Sequence, residues 1–418
     1  MKRSSPYRWV ILGVYMLLTL VNELQWLSHA AVARPAAVFY EGQFNPGSFF
    51  NIDFLALSYM LVYLAVSLPA SWVTDRFGIR IGLGIGAFLT GSFALIKGIW
   101  ASSFLMVLIA QTGLAIAQPF IINSVTAMSV RWFPLNERGM AAGLSALAQY
   151  LGIVVAMLLT PLLVGSDPGK PGYGEGFQSM LMIYGLISLG VAILSMILIR
   201  ERPANQLEEH EFAPKPFFEG MRHILRQRDM VITIVLFLIG LGIFNAVSSM
   251  TDAIAAHAGV SDSDGLIGGL MLIGGIIGAL VLPALSDRMR KRKPFLVVTI
   301  AGMIPGLAGM AFASRLWHDP ETVYTVILVS SFVLGFFVMS AGPIGFQYAA
   351  EVCAPAPESA SQGILLWVGQ ISGLIFAAGM SMSNSRYISF FLILFAVLSI
   401  FTLIGTLLLR ESKMMRYL

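Results

Sequence analysis

Charge is what this 418-residue sequence has least of: Asp, Glu, Lys and Arg together make up 11% of it, against about 25% in a typical soluble domain. With 57% hydrophobic residues it cannot dress a globule in polar surface, which excludes the ordinary soluble classes. Sulfur chemistry is nearly missing too. The lone Cys353 excludes an intramolecular disulfide and any cysteine-held metal cluster. Five histidines fall on separate segments without ligand spacing, and no nucleophile, metal set or carboxylate pair suggests an enzyme. No glycine-rich phosphate loop follows a strand-like run. No Asn-x-Ser/Thr sequon occurs, and the basic residues sit at the edges of apolar runs, not in a patch suited to nucleic acid.

What fills the chain instead is apolar helix. Runs of about 20 residues recur throughout, each long enough to cross a hydrocarbon core of ~30 Å. The first, flanked by Arg8 and without a small-residue cleavage site, reads as a retained helix and not a signal peptide. Charges, Gly and Pro divide the chain into twelve spans: 8–33, 50–74, 80–99, 103–131, 137–165, 176–200, 229–257, 264–286, 294–314, 322–350, 358–382 and 387–410. Of 26 basic residues, all but Arg34, Lys97, Lys170, Arg315 and Arg386 then fall on one side, which predicts cytoplasmic N- and C-termini. Short termini and absent sequons favour a prokaryotic inner membrane.

The longest polar interruption, residues 201–228, separates a half at 1–200 from a half at 229–418. Its "FFEGMRHIL" reads either as an amphipathic helix on the inner membrane surface or, more plainly, as solvated linker. The halves echo each other. "FPLNERGMAAGLSALAQYLG" aligns with "APAPESASQGILLWVGQISG", pairing Glu137 with Glu358 and Gln149 with Gln370; "LPASWVTDRFGIR" aligns with "LPALSDRMRKRK", pairing Asp75-Arg76 with Asp287-Arg288. Two echoes in the right order predict an all-α polytopic membrane protein: twelve transmembrane helices in two pseudosymmetric six-helix bundles. That is a transporter design, with a substrate site near mid-membrane.

"TDRFGIR" resembles the cytoplasmic loop signature of the major facilitator superfamily, with its leading glycine blurred at Ala70-Ser71. Acidic groups at span ends can hold orphan helix N–H groups or a facing cation. Asp75, Arg76, Arg131, Glu137, Asp287, Glu351 and Glu358 are therefore candidate parts of a cytoplasmic gate, or else plain topological charge. A closer likeness lies in "LVNELQW", "VRWFPLNERGMAAG" and "LGFFVMSAGPIGFQYAAEVCAPAPESASQGILLWVGQISG". These resemble the family of the feline leukaemia virus subgroup C receptor.

That resemblance implies alternating access and a small organic solute of the choline, ethanolamine or haem kind. Gln25-Trp26 and Gln370 match the family's first- and eleventh-helix motifs. Asn245 stands where the family has a tyrosine, and Gln149-Tyr150 where it has an Asn-Gln pair. A choline cage therefore lacks one wall at Asn245, and Tyr150 offers another.

The residues of the first span carry their own argument. On a helix Asn22, Trp26 and His29 share a narrow face, with Glu23 and Gln25 to either side. Glu23 lies about 22 Å along the span, where a carboxylate must face a cavity, find a partner or take a proton. It is open to three uses: pairing with a cationic solute beside Trp26, carrying a coupling proton, or bonding helices together. Gln149 and Gln370 fall near mid-membrane as candidate solute hydrogen-bonders; Gln118 and Asn123 are lesser candidates. His29 is expected at the outer rim as an interfacial residue. The reading is a monomeric carrier in a lipid bilayer, with no cofactor, no metal and no nucleic-acid partner. A proton-coupled symporter of an anionic metabolite, drawn in by Arg34 or Arg315, and a haem transporter are the alternatives. A non-transporting receptor is disfavoured because no sizeable extramembrane segment is present.

Overall fold

A backbone in hydrocarbon must satisfy its own N–H and C=O groups, and a chain of Leu, Ile, Val, Ala and Gly runs does so as helix. The computed structural model describes residues 5–44, 50, 52–165, 172–202, 217–260, 266–354, 356–385 and 387–412, and every regular element among them is helical. Among the described residues twelve helices are long and apolar enough to cross a membrane. They are α1 Tyr7–Leu27, α2 Ile52–Phe77, α3 Ile79–Ile99, α4 Phe104–Ile122, α5 Arg138–Leu163 and α6 Phe177–Leu198. The later six are α7 Arg228–Ser249, α8 Leu266–Met289, α9 Lys293–Leu316, α10 Pro320–Cys353, α11 Glu358–Ser385 and α12 Ile388–Leu407. Nine match an expected span to within three residues at each end, whereas α1, α4 and α7 stop short of the expected limits, at Leu27, Ile122 and Ser249.

The chain divides into two units: Met1–Phe133 with Leu147–His210, and Pro134–Ala146 with Glu211–Leu418. In the first, α4 packs on α2 and α3, and α6 on α1 and α3. In the second, α10 packs on α8 and α9, and α12 on α7 and α9. The same pairing in both is the structural form of the sequence echo. Small residues set the close crossings. A Cβ on Gly185 would sit 2.7 Å from the Ala94 carbonyl oxygen, and one on Gly98 would sit 2.9 Å from that of Leu181, so α3 and α6 nearly touch backbones.

Two local features differ from expectation. The segment Phe217–Arg226 is a formed helix, not open linker, and Gly220 on it lies against Pro357. Spans 1, 4 and 7 are each broken: α1 stops at Leu27 before a 3-10 turn at Ala30–Val32 and a short helix over Ala33–Phe39, α4 gives way to a helix over Val125–Trp132, and α7 to one over Thr251–His257. Residues 203–216, Lys170, Arg386 and the side chain of Arg34 lie outside the described residues.

Candidate functional site

Consecutive residues of a helix point 100° apart, so α1 sends its polar side chains into different surroundings. Asn22, Glu23 and Gln25 are buried, whereas Trp26 is half-buried. The Glu23 Oε1 accepts a hydrogen bond from Gln118 Nε2 at 3.1 Å. Its Oε2, equally buried, has no partner among the described residues. Gly152 of α5 allows a close crossing here; a Cβ on it would come within 2.8 Å of the Glu23 Cβ. Tyr15, Tyr59 and Tyr150 lie within electrostatic reach of the Glu23 carboxyl.

Trp26 is held at both ends of its ring system. The indole N–H donates to the Ala56 carbonyl at 2.9 Å, and the ring stacks on Tyr59 with centroids 5.9 Å apart at 27°. The Tyr59 hydroxyl is itself buried without a partner among the described residues. One region of the first unit thus gathers a half-satisfied carboxyl, an indole face and phenol rings. Such a set suits an organic cation, because aromatic faces attract cations and the carboxylate supplies charge.

Asn22 and Gln25, expected among the solute contacts, are bonded within the first unit. Asn22 Nδ2 donates to Thr90 Oγ1 at 3.4 Å and to the Leu114 carbonyl at 3.5 Å, which ties α1 to α3 and α4. Gln25 Nε2 donates to Ser188 Oγ at 3.2 Å, and its Oε1 accepts from Lys97 Nζ at 3.3 Å. The Gln25 amide is therefore already engaged inside the unit. Lys97, expected on the outer side with the loop charges, is fully buried. His29, expected as an interfacial residue, is buried too, stacked on Phe177 at 6.1 Å between centroids with its Nε2 unpartnered among the described residues. The aromatic cluster of Phe39, Tyr40 and Phe177 closes over it, and no periodicity in the sequence announces that cover.

Gln149 and Tyr150 on α5 are half-buried. In the second unit Asn245 Nδ2 donates to Gln370 Oε1 and to the Gly369 carbonyl, both at 3.5 Å, and both side chains are half-buried. Asn245 and Gln370 are thus brought together, as neighbours on α7 and α11.

The gate candidates separate into two groups. Arg131 pairs with Glu201 at 3.1 Å, and Glu201 also accepts from the Arg80 amide N–H at 3.0 Å. Arg76 is exposed, and Asp75, Glu137 and Glu358 are half-buried. Asp287 and Glu351 instead converge on Arg292, a residue that sequence reasoning missed. Arg292 is fully buried, ion-paired to Asp287 and, at 3.0 Å, to Glu351. Arg288, which the repeat pairs with Arg76, is exposed. Burial works against the Arg292 charge, but Glu351 and Asp287 outweigh it and hold the guanidinium above its ordinary pKa. Asp287 Oδ2 also accepts the Met140 amide N–H at 2.7 Å, capping the first turn of α5.

A family model described as Major Facilitator Superfamily matches residues 8–377. The chain is similar to solute carrier family 49 member A3 of Xenopus tropicalis, with 29% identity over 388 residues, 90% of this chain and 77% of that one. It is similar to the choline/ethanolamine transporter FLVCR2 of Homo sapiens, with 25% identity over 401 residues, 92% of this chain and 73% of that one. Among solved structures, the fucose:proton symporter FucP of E. coli shares the fold with TM-score 0.73 at 15% identity, covering 97% of this chain and 98% of that one.

Proposed function

This chain belongs to the Major Facilitator Superfamily, and from that premise we propose that it carries a small amine-bearing solute, choline- or ethanolamine-like, by alternating access. Its standing as a multi-pass membrane transporter comes from the family and the twelve apolar helices. The solute class is our reading. It rests on one observation: Glu23, buried in α1, keeps one carboxylate oxygen without a partner among the described residues, in the region of the Trp26–Tyr59 stack. A cationic headgroup would satisfy that oxygen and gain about 0.5–2 kcal/mol over the indole face. The likeness to relatives named choline/ethanolamine transporters supports the same class. Tyr150, Gln149, Asn245 and Gln370, all half-buried, are the further groups assigned to the solute.

In this reading residues 1–200 and 229–418 are the two bodies of the cycle and 201–228 the tether. Both termini are cytoplasmic, and the protein works as a monomer in a prokaryotic inner membrane. The Asp287–Arg292–Glu351 cluster holds Asp287 against the Met140 amide N–H on the first turn of α5, and that bond is the latch that the cycle makes and breaks. The Arg131–Glu201 pair is its weaker counterpart in the first unit, being partly exposed.

Purified protein in liposomes is expected to give saturable uptake of choline or ethanolamine that Glu23→Gln and Trp26→Ala abolish. Undiminished uptake in both variants overturns the site. The same free oxygen favours a second assignment, a coupling proton carried by Glu23. In that case an inward proton gradient drives accumulation, and Glu23→Gln leaves only gradient-independent exchange.

A further inference from the structure

Lys97 lies near the end of α3 and is fully buried, yet no carboxylate pairs with it among the described residues. Four oxygens surround its Nζ instead: Gln111 Oε1 at 2.7 Å, Ser28 Oγ at 3.0 Å, the Gln25 carbonyl at 3.1 Å and Gln25 Oε1 at 3.3 Å. The orientation of Gln111 is fixed by its other bonds. Gln111 Nε2 faces the carbonyls of Leu55, Trp26 and Gln25 at 3.1, 3.2 and 3.5 Å, which only accept, so Oε1 must face Lys97. Gln25 Nε2 donates to Ser188 Oγ, and Ser28 Oγ donates to the Gln25 carbonyl. In this arrangement all four oxygens accept, which suits an ammonium, whose three N–H groups all donate.

The position of this knot matters more than its charge. The last carbonyls of a helix lack intrahelical partners, and α1 ends at Leu27. Lys97 and Gln111 take up two of those carbonyls, at Gln25 and Trp26, where the helix stops. Gln111 also bonds the Leu55 carbonyl, one residue before Ala56, whose carbonyl holds the Trp26 indole. The backbone of Trp26 and the strip of α2 that grips its ring are therefore fastened to one amide, and that amide is fastened to Lys97.

We propose that Lys97, acting through Gln111 and the end of α1, is the positioning residue for Trp26. The consequence for transport rests on the reading of Trp26 as a solute contact; the positioning itself does not. Hydrogen–deuterium exchange of the full chain in detergent, comparing wild type with Lys97→Met and Lys97→Arg, separates the two. Lys97→Met is expected to speed exchange in peptides covering Trp26–Val32 and Leu55–Tyr59 by about tenfold or more, the loss of one or two hydrogen bonds. The later helix Arg228–Ser249 should be unaltered, and the charge-keeping Lys97→Arg should restore part of the protection. Unaltered exchange at both peptides overturns the proposal, and so does equal loosening of every helix in the first unit, which marks a general structural role.

In liposomes Lys97→Met should raise the KM for choline about tenfold while leaving Vmax unchanged. Adding Lys97→Met to Trp26→Phe, which drops the indole bond to Ala56, should raise the KM by less than the product of the two single effects. Effects that multiply in full overturn the coupling. If wild type takes up no amine, the solute class fails, and the exchange experiment still decides the positioning.

Discussion

Glu23 and Lys97 are both ionisable, both fully buried and both in the first unit, yet their surroundings are opposite. Lys97 has four oxygens around one nitrogen. Glu23 has one amide donor for two oxygens. Buried polar groups are almost always hydrogen-bonded, and each exception asks for a reason. By that measure Lys97 is finished as it stands, and Glu23 is waiting for something. Burial alone treats the two alike; counting partners separates a group that fastens from a group that receives.

The largest effect that tests this contrast is Lys97→Met. It strands Gln25 Oε1 and Gln111 Oε1 at about 1–3 kcal/mol each, so the loss expected is about 2–6 kcal/mol, read as a lowered Tm in detergent. Next is Gln118→Leu, which removes the one donor of Glu23 and should destabilise by about 1–3 kcal/mol, with Glu23→Leu in the same chain recovering most of it. Trp26→Phe keeps the stack on Tyr59 but drops the indole bond to Ala56, an expected loss of about 0.5–1.5 kcal/mol in the same melt. Smallest in stability is Glu23→Gln, whose amide keeps an acceptor for Gln118 and should leave Tm nearly unmoved while uptake collapses. A melt as damaged as that of Lys97→Met would erase the distinction.

The twelve spans were legible because hydropathy and length suffice for a chain whose backbone must bond to itself. Glu23 was legible for a related reason: a carboxylate deep in an apolar run demands a partner. The break after Leu27 was not. "SHAAV" contains neither Gly nor Pro, and the turn is held by its own Ser28 and, from outside, by Lys97 and Gln111. Lys97 misled because a lysine one turn from a span end reads as a loop charge, and only the acceptors of α1 and α4 explain its turning inward. Arg292 hid behind Arg288 for a similar reason. Adjacency to Asp287 suggested the pair, whereas the turn at Lys291 and the distant Glu351 decide it.

The first unit is clasped by its own ends. Tyr7 at the start of α1 donates its hydroxyl hydrogen to the Leu198 carbonyl at 2.8 Å, Arg200 lies over the Tyr7 ring at 4.8 Å, and Trp132 donates to the Arg200 carbonyl at 3.2 Å. Among the described residues the second unit has a counterpart only to the Trp132 bond, with the Tyr348 hydroxyl on the Arg410 carbonyl at 2.7 Å, and Glu411 beside it accepts the Arg292 amide N–H at 2.8 Å. During synthesis this sets an order of assembly. The clasp at Leu198 and Arg200 needs nothing made after it, so the early helices can be fastened together while the later ones are still entering the membrane.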